Sequence, residues 1–131
     1  MNAQRLDTLS EQHAGKFLKC RVIDDRGEII GTVHGLWIDF STKQIAYIGV
    51  RTNSLSHTVH AVPAGSASLQ ENGKLIQVEY SKHFVTGSPS FYPNADFAEV
   101  EKETVNGYFG RIVPLHRVSS IEEMRPEEAI R

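Results

Sequence analysis

Six histidines in a chain of 131 residues raise metal coordination as the first chemical question. The closest pair is His57 and His60. Both fall on a predicted strand, where successive side chains alternate between faces, so residues three apart diverge instead of sharing a ligand site. The chain carries neither an H-E-x-x-H motif nor a Cys–His cluster, the spacings that zinc sites use. The histidines are therefore read as structural or surface residues, and no metal is expected. Nucleophilic chemistry fares no better. Ser66 and Ser88 each follow a glycine, but neither stands in a G-x-S-x-G elbow. The single cysteine, Cys20, alternates with Lys19 and Arg21 and reads as a buried, inert thiol. Asp24-Asp25 and Asp39 sit where turns are expected, as acceptors for backbone N–H groups. No glycine-rich loop joins a strand to a helix, so a phosphate cradle of that kind has no support. Catalytic residues and cofactors are accordingly not expected, and the chain is not read as an enzyme.

The elements that would carry these residues are mostly short strands. Leu18, Cys20 and Val22 alternate with charged neighbours, the period of a half-buried strand. Asp24-Asp25-Arg26-Gly27 supplies a tight turn, and Ile29 to Phe40 follows as a longer strand in which Gly31 and Gly35 mark bulges or bends. After a turn at Ser41-Thr42-Lys43, the run from Gln44 to Arg51 is apolar on both faces and reads as a central strand. Thr58 to Val62 is stopped by Pro63, and Glu71-Asn72-Gly73 is a hairpin turn before Leu75 to Tyr80. Ser81 to Phe84 reads as one helical turn, and Ser88 to Pro93 as an extended link. A helix is expected from Phe97 to Tyr108, capped by Asn94 or Asp96 and ended at Gly110. Its apolar face would hold Phe97, Val100, Thr104 and Tyr108, with Val105 beside them. Ile112 to Leu115 is a short apolar piece broken by Pro114, and the end of the chain is charged.

Composition bounds the class. A 40% hydrophobic and 23% charged chain of this length suits one folded domain. A formal net charge of −2 argues against broad nucleic-acid binding, which depends on neutralising many phosphates. No apolar run reaches the length of a membrane span, and the first residues lack a signal-peptide core, so a cytoplasmic protein is expected. Trp37 has the opposite parity to Leu36 and Ile38, which would set an aromatic on the outer face of the sheet.

The ordered set from Gly15 to Phe91 resembles the PRC-barrel family. It opens with Gly15-Lys16 and turns at Asp25-Arg26-Gly27-Glu28. It continues through Ile30-Gly31-Thr32-Val33, Leu36-Trp37-Ile38-Asp39, Ile45-Ala46-Tyr47 and Val62-Pro63, and closes on Ser88-Pro89-Ser90-Phe91. The resemblance implies an all-β fold, a small, partly open six-stranded barrel, here with one C-terminal α-helix. The family is known from the cytoplasmic part of the photosynthetic reaction-centre H subunit and from a ribosome-maturation factor. It looks like an adaptor module without shared catalytic residues. The expected organisation is a flexible leader (1–14), the barrel (15–92), a helix with a short apolar segment packing on the barrel or a partner (93–115), and a charged tail (116–131). The expected function is a non-enzymatic protein-interaction and assembly module that forms homo-oligomers. The alternatives are an accessory factor in RNA processing or ribosome assembly, which the charge does not favour, and a peripheral factor of photosynthetic or other electron-transport membranes. The expected partner surface comprises Trp37, Phe91, Tyr92, Ile112, Val113 and Leu115. Intramolecular packing of the helix is favoured over its use by a partner, because an amphipathic helix ordinarily covers its own core.

Overall fold

The computed structural model describes residues 4–6, 15–39, 41–70, 74–93, 99–110 and 118–120. Its elements in chain order are β1 (Gln4–Arg5), β2 (Arg21–Ile23), β3 (Ile29–Asp39), β4 (Gln44–Arg51), β5 (Val59–Pro63), β6 (Ala67–Leu69), β7 (Leu75–Val78), α1 (Lys82–Thr86), β8 (Ser90–Phe91), α2 (Glu99–Phe109) and β9 (Val118–Ser120). The strands form one open sheet in the order β1-β6-β7-β2-β3-β4-β5-β8, with β9 beside β3. Seven of these strands have three or more residues, against the six expected, and the sheet does not close. All neighbours are antiparallel except β2 and β7, which run parallel. Among the described residues, no helix is long and apolar enough to cross a membrane.

The long strands β3 and β4 are the spine of the sheet. Leu36, Ile48 and Val62 are directly paired across β3, β4 and β5 and so share one face. Trp37, Tyr47 and Pro63 share the other, as do Gly35, Gly49 and Ala61. Both sets are buried, as the apolar character of 44–51 on both faces required. The register of β3 against β4 slips between Val33 and Gly35 and again between Trp37 and Ile38. A further slip against β2 lies near Gly31. These are the irregularities expected from Gly31 and Gly35, and they bend the strand.

The turn from β2 to β3 is organised by one carboxylate. Asp24 is buried, and its Oδ1 accepts from the backbone N–H of Arg26 at 2.9 Å and of Glu28 at 2.8 Å. Its Oδ2 accepts from the Lys82 N–H at 3.1 Å, which ties this turn to the start of α1. Gly27 supplies the positive φ of +87° that the turn needs. Burial pushes the Asp24 carboxyl up, but the three N–H donors and the Arg26 charge outweigh it and hold the pKa below the ordinary 3.8. A depressed folded-state pKa stabilises the fold in full above the unfolded value. That contribution is lost as pH falls through the folded one. Asp24→Asn should therefore lower the urea midpoint at neutral pH, since its amide turns a donor towards the Lys82 N–H. The deficit should begin to shrink as pH falls through 3.8, where the unfolded carboxyl protonates, and be lost below the depressed folded value, where the native one does. Urea melts of both proteins across this range check the expectation, with the exposed Asp25→Asn as a neutral control.

Two termini differ from the expected organisation. Within the leader, Gln4 and Arg5 pair with Leu69 and Ser68 of β6, and Leu6 is fully buried. Within the charged tail, Val118–Ser120 pairs with the Trp37–Asp39 end of β3. The short polar sequences there give no periodic signal, and the pairing is supplied by the partner strand.

The helix α2 also sits differently from its expectation. Among its described side chains, Lys102, Val105 and Phe109 are buried, an i, i+3, i+7 stripe, while Thr104 is exposed and Tyr108 is half-buried; the Val100 side chain lies outside the described ones. The Lys102 stem, counted as polar, belongs to the inward face because four methylenes can lie along apolar surface. Phe97 lies outside the described residues. Gly110 ends the helix with φ +68°. The helix packs on β5, and Tyr47 Oη donates to Asn106 Oδ1 at 3.0 Å. Burial pushes the Tyr47 phenol up to about 12 against the opposing effect of that bond, so it remains a neutral donor at physiological pH. An aromatic cluster of Tyr80, Phe84, Tyr108 and Phe109 joins α1 to α2.

Candidate functional site

The residues with chemical interest are mostly bound to backbone. Ser66 Oγ donates to Pro63 O at 2.7 Å, and Ser88 Oγ donates to Val85 O at 2.7 Å. His60 Nδ1 lies 3.0 Å from Ser88 O and 3.1 Å from Ser88 Oγ. A carbonyl only accepts, so this arrangement assigns the proton to Nδ1. Burial lowers the His60 pKa, against the opposing hydrogen bonds to the backbone at Ser88 and Pro89. Asp39 Oδ1 accepts from Ser41 N–H at 2.8 Å and closes the β3–β4 turn. Cys20 is half-buried, and burial raises its pKa, which lowers the thiolate fraction on which reactivity depends. His57 is exposed in the β4–β5 loop and His60 is half-buried on β5. Among the described residues, no three His, Cys, Asp or Glu side chains gather as a metal site.

The expected partner surface divides. Trp37 has no exposed area, so its placement on an outer face open to partners is corrected. On the face it shares with Tyr47, α2 packs over the neighbouring strands, through Tyr47 and β5. Phe91 is half-buried and packs against the core from β8. Tyr92, next in the chain, is 63% exposed. Ile112, Val113 and Leu115 lie outside the described residues.

A depression between β3, β4, the β4–β5 loop and the end of β8 was not anticipated. Its volume is about 240 Å³, and it is lined by His34, Arg51, Ser56, His57, Thr58, Val59 and Pro93. Arg51 Nε donates to Asn53 O at 3.3 Å and Nη2 donates to Ser54 O, so the guanidinium folds the loop around itself. Ser56 Oγ bonds Thr58 O at 3.1 Å. Burial, and then the charges of Arg51 and Lys19, lower the His34 pKa. The most exposed large apolar side chain, Leu55 at 83%, precedes the lining residue Ser56, and Tyr92 precedes the lining residue Pro93. Leu55 and Tyr92 thus each adjoin a residue of this depression in the chain. No sequence signal finds this group, because His34 and Arg51 meet only through the β3–β4 register.

The sequence that builds most of this sheet has a counterpart among known domains. The model of the PRC-barrel domain matches residues 11–85, more than half of the chain. The chain belongs to the PRC-barrel family. The matched span of this PRC-barrel domain ends in α1 at Val85, and β1, β8, α2 and β9 lie outside it. No curated protein matches the sequence. The α2 helix of this PRC-barrel protein packs over the strands beside Trp37, and Leu55 and Tyr92 stay exposed.

Proposed function

We propose that this PRC-barrel protein is a non-enzymatic interaction and assembly module that self-associates through the end of the sheet marked by Leu55 and Tyr92. The observation that carries the reading is the exposure of these two side chains, 83% and 63%, each next in the chain to a residue that lines one depression. Aromatic residues are enriched at interface centres, and a twofold dimer brings the same patch together twice. Commitment of Ser66, Ser88, His60, Asp24 and Asp39 to backbone hydrogen bonds supports a scaffold over a catalyst. The net charge of −2 favours a protein partner over an extended polyanion.

Light scattering on a sizing column should show an oligomer for the full chain at high micromolar concentration. The double variant Leu55→Glu/Tyr92→Glu should run as a monomer with an unchanged circular-dichroism spectrum. A wild-type monomer, or a double variant that stays oligomeric, overturns the proposal. Truncating the tail is a poorer test, because it would also remove the β9 strand that pairs with β3.

A further inference from the structure

We propose that the depression between β3, β4 and the β4–β5 loop is an oxyanion site that takes a single phosphate group, held by Arg51 with the imidazoles of His34 and His57. The backbone places these donors deliberately. Val33 pairs with Val50 and Gly35 with Gly49, so His34 is the extra residue of a bulge without a partner on β4. A bulge re-aims its side chain, and here His34 lines the same depression as Arg51. Arg51 stands at the end of β4 with two guanidinium N–H groups bonded to the carbonyls of Asn53 and Ser54. Those bonds orient the planar fork, and three of its five N–H groups make no bond to a described residue. Among the described residues, neither the His34 nor the His57 ring is hydrogen-bonded. Ser56 and Thr58 add hydroxyls to the rim.

Among the described residues, no Asp or Glu lines the depression, and the charged groups acting on His34 are Arg51 on β4 and Lys19 in the turn before β2, with His57 in the loop. The two permanent cations match the charge of one phosphate dianion. Donors reach the depression from β3, β4 and the loop, which suits a tetrahedral oxyanion better than a flat carboxylate. A volume of about 240 Å³ is below the usual range for nucleotide-sized ligands, so a single group enters. The site has too few cations to track an RNA backbone, whose binding is built from many phosphate contacts. It lies at the end of the sheet through which self-association is proposed, so phosphate binding is read with light scattering on the same samples, and saturable binding to the monomer separates the two readings.

Imidazole resonances of the full-length protein, followed by NMR during titration with inorganic phosphate at constant ionic strength, test the site. His34 and His57 should shift saturably while His60 stays still. Arg51→Gln should weaken binding by about tenfold or more, the size of a lost charge-assisted hydrogen bond. His34→Gln should weaken it too, and it leaves the Asn53 and Ser54 bonds intact if Arg51→Gln disturbs folding. Sulfate keeps its charge across the range, so it should bind more tightly at about pH 5 than at about pH 8, as the His34 imidazole, held below its usual value, protonates. Saturation by inorganic phosphate and glycerol phosphate alike supports a free-phosphate site, and saturation by glycerol phosphate alone supports a phosphoester site. Linear drift equal to that from chloride, acetate binding as tight as phosphate, binding of an RNA oligomer without phosphate binding, or full affinity in both variants would overturn the proposal.

Discussion

Gly31→Ala is expected to destabilise the protein by about 3 kcal/mol or more, at the upper end of overpacking costs. A Cβ at Gly31 would stand 2.0 Å from Arg51 O, 2.8 Å from Arg51 C and 3.0 Å from Thr52 Cα. All three are backbone atoms, so no rotamer change relieves the clash. The β3–β4 ladder must open at Thr32–Arg51, and with it the end of β4 that carries the Arg51 side chain. The same substitution at Gly107 meets nothing within 4 Å and lies inside α2. There it should stabilise by up to about 1 kcal/mol, the helix propensity difference between glycine and alanine. Denaturant melts of the two variants side by side check both signs. Equal denaturant midpoints would mean that β3 and β4 do not approach as closely as this geometry requires.

Trp37→Ala should cost about 3–5 kcal/mol, which is a large part of the stability of an ordinary domain. The ring is fully buried between the sheet and its helix, and it crosses the bare backbone of Gly49, where a Cβ would lie 3.2 Å from Cζ3 of the ring. Gly49 is thus the space into which the indole fits, and its pairing with Gly35 makes the furrow two glycines wide. Truncating the ring leaves a cavity under α2 that the paired strands cannot collapse to fill. Because Trp37 is the sole tryptophan, its fluorescence reports this burial directly. Native emission should be that of an apolar environment, resistant to quenching by iodide, and should become quenchable on unfolding. A solvent-exposed spectrum in the native state would return Trp37 to a partner surface. The expected loss is of folding stability, which separates Trp37 from Leu55 and Tyr92, whose replacement should alter association alone.

Much of the architecture is local in origin. The apolar run of 44–51, the glycines of β3 and the Asp24 turn each act through nearest neighbours, so they are legible one residue at a time. The alternation from Leu18 overran its strand, since β2 begins only at Arg21, after a turn in which Lys19 takes φ +69°. The ordered turn and strand motifs from Gly15 to Phe91 also carried the family. Gly110 ended its helix as a left-handed residue should, and Asp39 closed its turn. The rotation of α2 was less legible, since a lysine counts as polar in a periodicity and yet Lys102 lies inward.

What the tertiary structure alone decided follows from long-range pairing. The parity of Trp37 correctly separated it from Leu36 and Ile38, but parity names a face without saying what covers that face. The cover comes from α2, through Tyr47 and a helix residue 59 positions away. The parallel pairing of β2 with β7, the strand at Gln4–Arg5 and the strand at Val118–Ser120 likewise depend on partners remote in sequence. The basic depression is the clearest case. His34, Arg51 and His57 belong to a bulge, a strand end and a loop, and no spacing in the sequence relates them. They converge because β3 slips its register by one residue opposite β4, and a slip of one residue changes which side chains share a face. Local sequence determined the strands and their turns, and the register between strands determined which charges meet.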